Sequence, residues 1–139
     1  MNGYQQGYSG GRGAGMYKST EVESGTMSAD PHHLIVMLFD GAEMFIRKAR
    51  MYILDGNIPE KGRAISKAID IVNQGLLAAL DRERGGEIAE NLALIYDYIG
   101  RLLLQANIHN DLNALKQAEG LLADIGSAWR QIETQAKVG

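Results

Sequence analysis

Residues 30–56 read DPHHLIVMLFDGAEMFIRKARMYILDG, and this stretch decides the fold. The Asp30 carboxylate can accept hydrogen bonds from the free amides of a first helical turn, and Pro31 suits the first helical position, where no amide is needed. Downstream, Ile35, Leu38, Ala42, Phe45, Ala49 and Tyr52 recur at alternating spacings of three and four, which is the rhythm of a helix with one buried stripe. Gly56 stands where a left-handed residue would end that helix near Leu54.

The same grammar recurs three more times. Asn57, Pro59 and Glu60 form the next start, with the acid three residues after the cap as in a capping box. Ile65, Ile69, Val72, Leu76 and Leu80 then carry a second helix that is expected to reach about Arg84. Gly85-Gly86 breaks the chain, Glu87 restarts it, and Ile88, Leu92, Ile95, Ile99, Leu102 and Ala106 set the third seam. Asn110-Asp111 marks the last stop and restart, followed by Leu115, Ala118, Leu122, Ile125, Trp129 and Ile132. Helices of roughly 22–27 residues span about 33–40 Å each. Seams of this kind favour shallow left-handed packing, and short connections make neighbours antiparallel. The expected fold is therefore all-α, an antiparallel up-down-up-down four-helix bundle. Gly120 and Gly126 cost helix propensity and mark where the last helix could bend or split.

Residues 1–30 differ from the bundle at 31–139. Gly3, Gly7, Gly10, Gly11, Gly13, Gly15 and Gly25 punctuate a stretch holding Tyr4, Tyr8 and Tyr17 but almost no aliphatic residue, the composition of a flexible arm. The whole chain of 139 residues is 45% hydrophobic and 22% charged, enough for one core and incompatible with wholesale disorder. It has no cysteine, which excludes disulfides, thiolate zinc sites and a cysteine nucleophile. A net charge of −3 supplies no basic field for nucleic acid. No uncharged apolar run approaches 18 residues, so stable membrane insertion is not expected, and the start at Met1-Asn2-Gly3-Tyr4 lacks the pattern of a secretory signal. A cytoplasmic location fits these features.

Bundles can hold metals through inward Glu-x-x-His pairs. Here Ala106 precedes His109 by three, and His32 and His33 fall in the first turn of helix one, so exposed polar residues near helix ends are the simpler reading and no metal is expected. Phosphate-binding glycine patterns are missing too, because the glycines of the arm follow no strand. Asp81 and Glu83 lack a partner base or pocket. No catalytic site and no cofactor are expected.

Apolar residues also lie outside the seams. Met37, Met44 and Met51 recur every seven residues, roughly 110–150° from the core centre of helix one. They either complete a wide core edge or form an adaptable binding stripe, since a flexible thioether suits both. On helix three Ala93, Gly100 and Leu104 lie about 120–160° from the core centre, with Ala89, Tyr96 and Leu103 bridging back toward it. Small residues on that face would let another helix approach closely, from a partner or from this protein's own fourth helix or arm.

At this level of detail the chain resembles a known family. The run Tyr17, Val22-Glu23-Ser24, Met27-Ser28-Ala29-Asp30-Pro31-His32, Leu34-Ile35, Met37-Leu38-Phe39-Asp40-Gly41-Ala42 is similar to the start of the flagellar secretion chaperone family, FliS. The likeness continues through Lys67-Ala68-Ile69, Leu80-Asp81, Gly85-Gly86-Glu87-Ile88-Ala89, Asn91-Leu92, Tyr96-Asp97-Tyr98, Leu103, Ala106-Asn107, Asn110-Asp111, Gly120-Leu121-Leu122 and Ala128-Trp129. It spans residues 17–133. The resemblance implies a four-helix bundle that binds the C-terminal segment of new flagellin in the cytoplasm, prevents premature polymerisation and brings it to a component of the type III export gate. It also implies a role for Tyr17, because the family's segment around the matching tyrosine lies over part of the binding surface. Upstream of Tyr17 the chain departs from the shorter family start, with Ala14-Gly15-Met16 after a Gly/Tyr-rich extension. A self-assembling structural bundle, or a homodimer of the free protein, would use the same patches and stays open.

Overall fold

A computed structural model describes residues 30–138, with side chains through Thr134. Four helices and no strand form among the described residues: α1 (Pro31–Asp55), α2 (Ile58–Asp70), α3 (Arg82–His109) and α4 (Leu112–Val138). They pack as an all-α bundle in which α1 meets α2 and α4, and α3 meets α2 and α4. The expected arm, with Tyr17, lies outside the described residues.

Local chemistry explains the helix starts. The Asp30 carboxylate accepts from the His33 amide at 3.1 Å, and the Asn57 side-chain oxygen accepts from the Glu60 amide at 3.3 Å. Asp111 accepts from the Ala114 amide at 3.1 Å. Each of these caps satisfies an amide that has no partner inside its own helix. α1 ends at left-handed Gly56, as its sequence predicts.

Helix two does not reach Arg84. After Asp70 the backbone widens into a π-helical segment, Ile71–Leu77, and the helix is over by Ala78. The reason is a competing cap that the sequence reading passed over: Asp81 turns extended and its carboxylate accepts from the Arg84 amide at 3.0 Å, so a new helix starts at Arg82. The predicted break survives inside that helix. Gly86 takes φ 54° and ψ −129°, a conformation open essentially to glycine alone. A single turn from Arg82 is thereby set off from the long run that begins at Glu87.

The core is built from stripes slightly displaced from the predicted seams. α1 buries Val36, Phe39, Ala42, Ile46 and Ala49, while Ile35, Leu38, Phe45 and Tyr52 lie partly buried at the margin. α3 buries Ala89, Tyr96, Ile99, Leu103 and Ala106, and Ile88, expected inside, is 72% exposed. Ile132, also expected inside, is exposed near the end of α4. A helix with two neighbours buries two adjacent stripes, and a count of threes and fours can lock onto either. α4 runs unbroken through Gly120 and Gly126, so the split that those glycines would permit does not occur.

Polar contacts give the helix directions. Arg50, late in α1, meets Glu119, early in α4, at 2.5 Å, whereas Arg130, late in α4, reaches Asp40 at 2.7 Å and Glu43 at 2.6 Å. α1 and α4 therefore run oppositely. Lys61 opens α2 and its ammonium donates to the Asn107 carbonyl at 2.7 Å, near the end of α3. This lysine is buried, and its positive charge sits on a last-turn carbonyl, where the helix dipole favours a cation.

Candidate functional site

No helix of the described residues is long and apolar enough to cross a membrane, and no group of three or more His, Asp or Glu there could hold a metal. What the surface offers instead is apolar side chains. Met37, Met44 and Met51 all stand on the outside of α1, 41%, 38% and 61% exposed. They do not complete a core edge, because the stripe that α1 buries faces the other way. Their seven-residue spacing puts them within about 40° of one another on the helix surface. The result is a soft apolar row beside the polar Asp40, Arg47 and Lys48.

The candidates on α3 divide differently. Ala89, Ala93, Tyr96 and Leu103 are buried in the bundle, and Leu104 is exposed. Gly100 is half-buried, and a Cβ built on it would lie 3.7 Å from the Asn73 side-chain oxygen in the π-helical segment. Gly100 therefore lies beside the π-helical segment that follows this protein's own second helix, and Ala93 is buried within the bundle. The predicted seam is centred on the line of Ile88 and Ala106, whereas the deepest line runs through Ala89, Tyr96 and Leu103.

Measured from that deeper line, the free face of α3 carries apolar residues that the sequence reading missed. Leu94, Tyr98 and Ile108 are 70%, 50% and 64% exposed, alongside Leu104. With about 100° per residue all four fall inside a sector of roughly 120°. The same count of hydropathy, started from Tyr96, would have found them.

A third feature lies at the end of the bundle where α1 begins. An open hollow of about 270 Å³ is walled by Ile35, Leu76, Leu80, Ile88, Leu92 and Trp129, and Tyr96 also lines it. Tyr96 is 2% exposed. Nothing among the described residues hydrogen-bonds its hydroxyl, and burial alone pushes its pKa up to about 12. The ring of His32 lies 4.8 Å from that of Trp129, and its Nε2 is 2.7 Å from the Trp129 carbonyl. His33 meets Glu133 at 2.6 Å. These contacts give His32 and His33 a structural place, clasping the start of α1 to the end of α4.

Comparison with known proteins agrees with this architecture. A sequence model of the family described as flagellar protein FliS matches residues 13–136. The flagellar secretion chaperone FliS of Salmonella typhimurium is 52% identical over 120 residues, covering 86% of this chain and 89% of that protein. The protein of the same name from Escherichia coli is 40% identical over 120 residues, covering 86% and 88%. One from Bacillus subtilis is 36% identical over 111 residues, covering 79% and 81%. The family match takes in all four helices and the relatives align along most of their own length; the chain belongs to the FliS family.

Proposed function

We propose that this chain is a cytoplasmic export chaperone that binds the C-terminal segment of newly made flagellin, prevents its premature polymerisation and assists its delivery to the flagellar type III export gate. Family membership supplies the class of function. The observation that carries the mechanism is the apolar row of α1: every methionine among the described residues stands outside the core, although methionine ordinarily fills core gaps. An amphipathic segment that has not yet met its neighbours in a filament exposes an apolar stripe, and a bundle with such rows can cover it helix by helix. The chaperone replaces the absent subunits. Binding needs no metal or nucleotide, and the work is done by burial of apolar surface alone.

The segment around Tyr17 competes with flagellin for part of this surface, as the family resemblance implies. A competing arm lowers apparent affinity by the fraction of molecules in which the surface is covered. Deleting residues 1–22 should then tighten binding in an isothermal titration; unchanged or weaker binding would remove the competition.

Size-exclusion chromatography tests the function itself. The full chain, mixed in the presence of a chelator with full-length flagellin, should elute as a stoichiometric complex, and flagellin lacking its C-terminal segment should not join it. No complex with full-length flagellin would overturn the reading. A stable homodimer that persists unchanged in the mixture would favour self-assembly as the use of the exposed rows.

A further inference from the structure

Burial of apolar rows makes no use of the charges on the face that α1 shares with α2. Several arginines of the bundle are committed to carboxylates: Arg50 to Glu119, Arg63 to Glu60, Arg101 to Asp97, and Arg130 to Asp40 and Glu43. Lys48 of α1 and Lys67 of α2 are arranged differently. Both are exposed, and their ammonium groups converge on one half-buried ring, with Nζ 5.7 Å and 5.8 Å from the centre of Phe45. The face of a phenyl ring attracts each cation, but it does not relieve the repulsion between the two. Asp70 lies nearly one turn beyond Lys67 and feels its charge. Desolvation nevertheless outweighs that lysine, and the Asp70 pKa is raised, the opposite of what a close ion pair would give.

We propose that Lys48 and Lys67, over the ring of Phe45, form a carboxylate site that docks an acidic helical segment of a protein partner other than flagellin. Charge complementarity selects the occupant: an anion placed between the two ammonium groups meets both and removes their repulsion. A glutamate suits the place, because its methylene stem can cover the exposed part of the ring while the carboxylate reaches the lysines. Nucleic acid does not, since the chain carries a net charge of −3 and supplies no extended basic track for a phosphate backbone.

The groove itself fits a helix. Gly41, Phe45, Lys48 and Tyr52 fall inside a sector of about 60° on α1, centred about 70° from the methionine row. This sector faces the second helix and its continuation, as a Cβ built on Gly41 would lie 3.4 Å from the Ile71 side chain. Phe45 and Tyr52 are partly buried there, leaving an apolar floor between the two lysines and one turn beyond. A helix laid in this groove has apolar contacts below it and cations at its flank. It leaves the row of Met37, Met44 and Met51 to the chaperoned segment.

A synthetic helical peptide with a leucine stripe flanked by glutamates, and the same peptide with glutamines, test the site on the full chain. The glutamate peptide should bind more tightly, shift the amide resonances of Phe45, Lys48, Tyr52 and Lys67, and weaken as salt rises from about 0.1 to 1 M. Lys48→Gln and Lys67→Gln should each weaken it about 2- to 5-fold, the worth of one exposed ion pair, with the thermal midpoint unchanged. Equal binding of the two peptides, or shifts confined to other faces, overturns the site. So does a full chain that ignores the glutamate peptide at saturation, the result if residues 1–29 already bring a carboxylate to these lysines. Flagellin should bind both variants at wild-type strength; a matching loss would assign the lysines to the flagellin interface and overturn a separate partner. If flagellin binds neither wild type nor variants, the chaperone reading fails and the peptide measurements still decide the site.

Discussion

Gly126 on α4 and Phe39 on α1 approach so closely that a Cβ built on Gly126 would stand 3.2 Å from the Cβ of Phe39. The same Cβ would meet the Glu43 carboxylate at 3.2 Å and the Arg130 guanidinium at 3.1 Å. The long side chains could swing away, but the Phe39 Cβ is fixed to its backbone. Gly126 thus lowers the intrinsic stability of α4 and in exchange lets two helices meet over the core.

Gly126→Ala should therefore destabilise the protein by about 1–2 kcal/mol, overpacking outweighing the gain in helix propensity. Gly120, on the same helix, has nothing within 4 Å of its would-be Cβ. Gly120→Ala should stabilise by about 0.5–1 kcal/mol. Urea unfolding of the two variants should move the midpoint in opposite directions; equal shifts would contradict the close approach at Gly126.

Glu43 is 8% exposed and has its charge met by Arg130 at 2.6 Å. The hydrogen bond to Glu43, followed by that to Asp40, raises the Arg130 pKa. Arg130→Met should cost about 2 kcal/mol, since it leaves a nearly buried carboxylate unpaired, with the partial exposure of the guanidinium limiting the loss. Adding Glu43→Gln should recover part of that cost. A double variant whose loss equals the sum of the two single losses would show that the pair is not coupled.

Asp111 caps α4 and also accepts from Gln105 at 2.8 Å. These hydrogen bonds, Gln105 first and the Ala114 amide next, hold its carboxyl below the usual 3.8. A folded-state pKa below the unfolded one means that Asp111 contributes its full stability above about pH 4, and loses it as pH falls through the lowered value. Asp111→Asn keeps a capping oxygen without the titration. The variant should show a shallower loss of thermal midpoint between about pH 4 and 2 than the wild type; identical slopes would remove Asp111 from the acid transition.

Met44→Lys should leave stability within about 0.5 kcal/mol, because the side chain lies outside the core. Flagellin binding should weaken by about tenfold or more as a charge enters the apolar row. A pull-down and a thermal melt on the same preparation check both halves. Binding at wild-type strength would exclude the α1 row from the interface.

The start of α1 at Asp30, its end at Gly56 and the starts at Asn57 and Asp111 were legible because capping is local chemistry, carried within four residues of the helix end. That Met37, Met44 and Met51 share one face was legible for a related reason, since seven-residue spacing places side chains together on any helix; that this face lies outside the core was not. Tertiary structure decided the rest. Ile35 or Val36, Ile88 or Ala89, could each have marked the buried line, since each helix touches two neighbours and only their positions select the deeper stripe. On α3 that choice buried Ala93, set Gly100 beside Asn73 and left Leu94, Tyr98 and Ile108 outside. Likewise Asp81 had to compete with continued helix for the chain beyond Leu77, and a cap prevails only where the widened backbone before it and the break at Gly86 after it are both supported by packing. Local rules set where helices can begin and which residues share a face; which face is covered depends on neighbours distant in the chain.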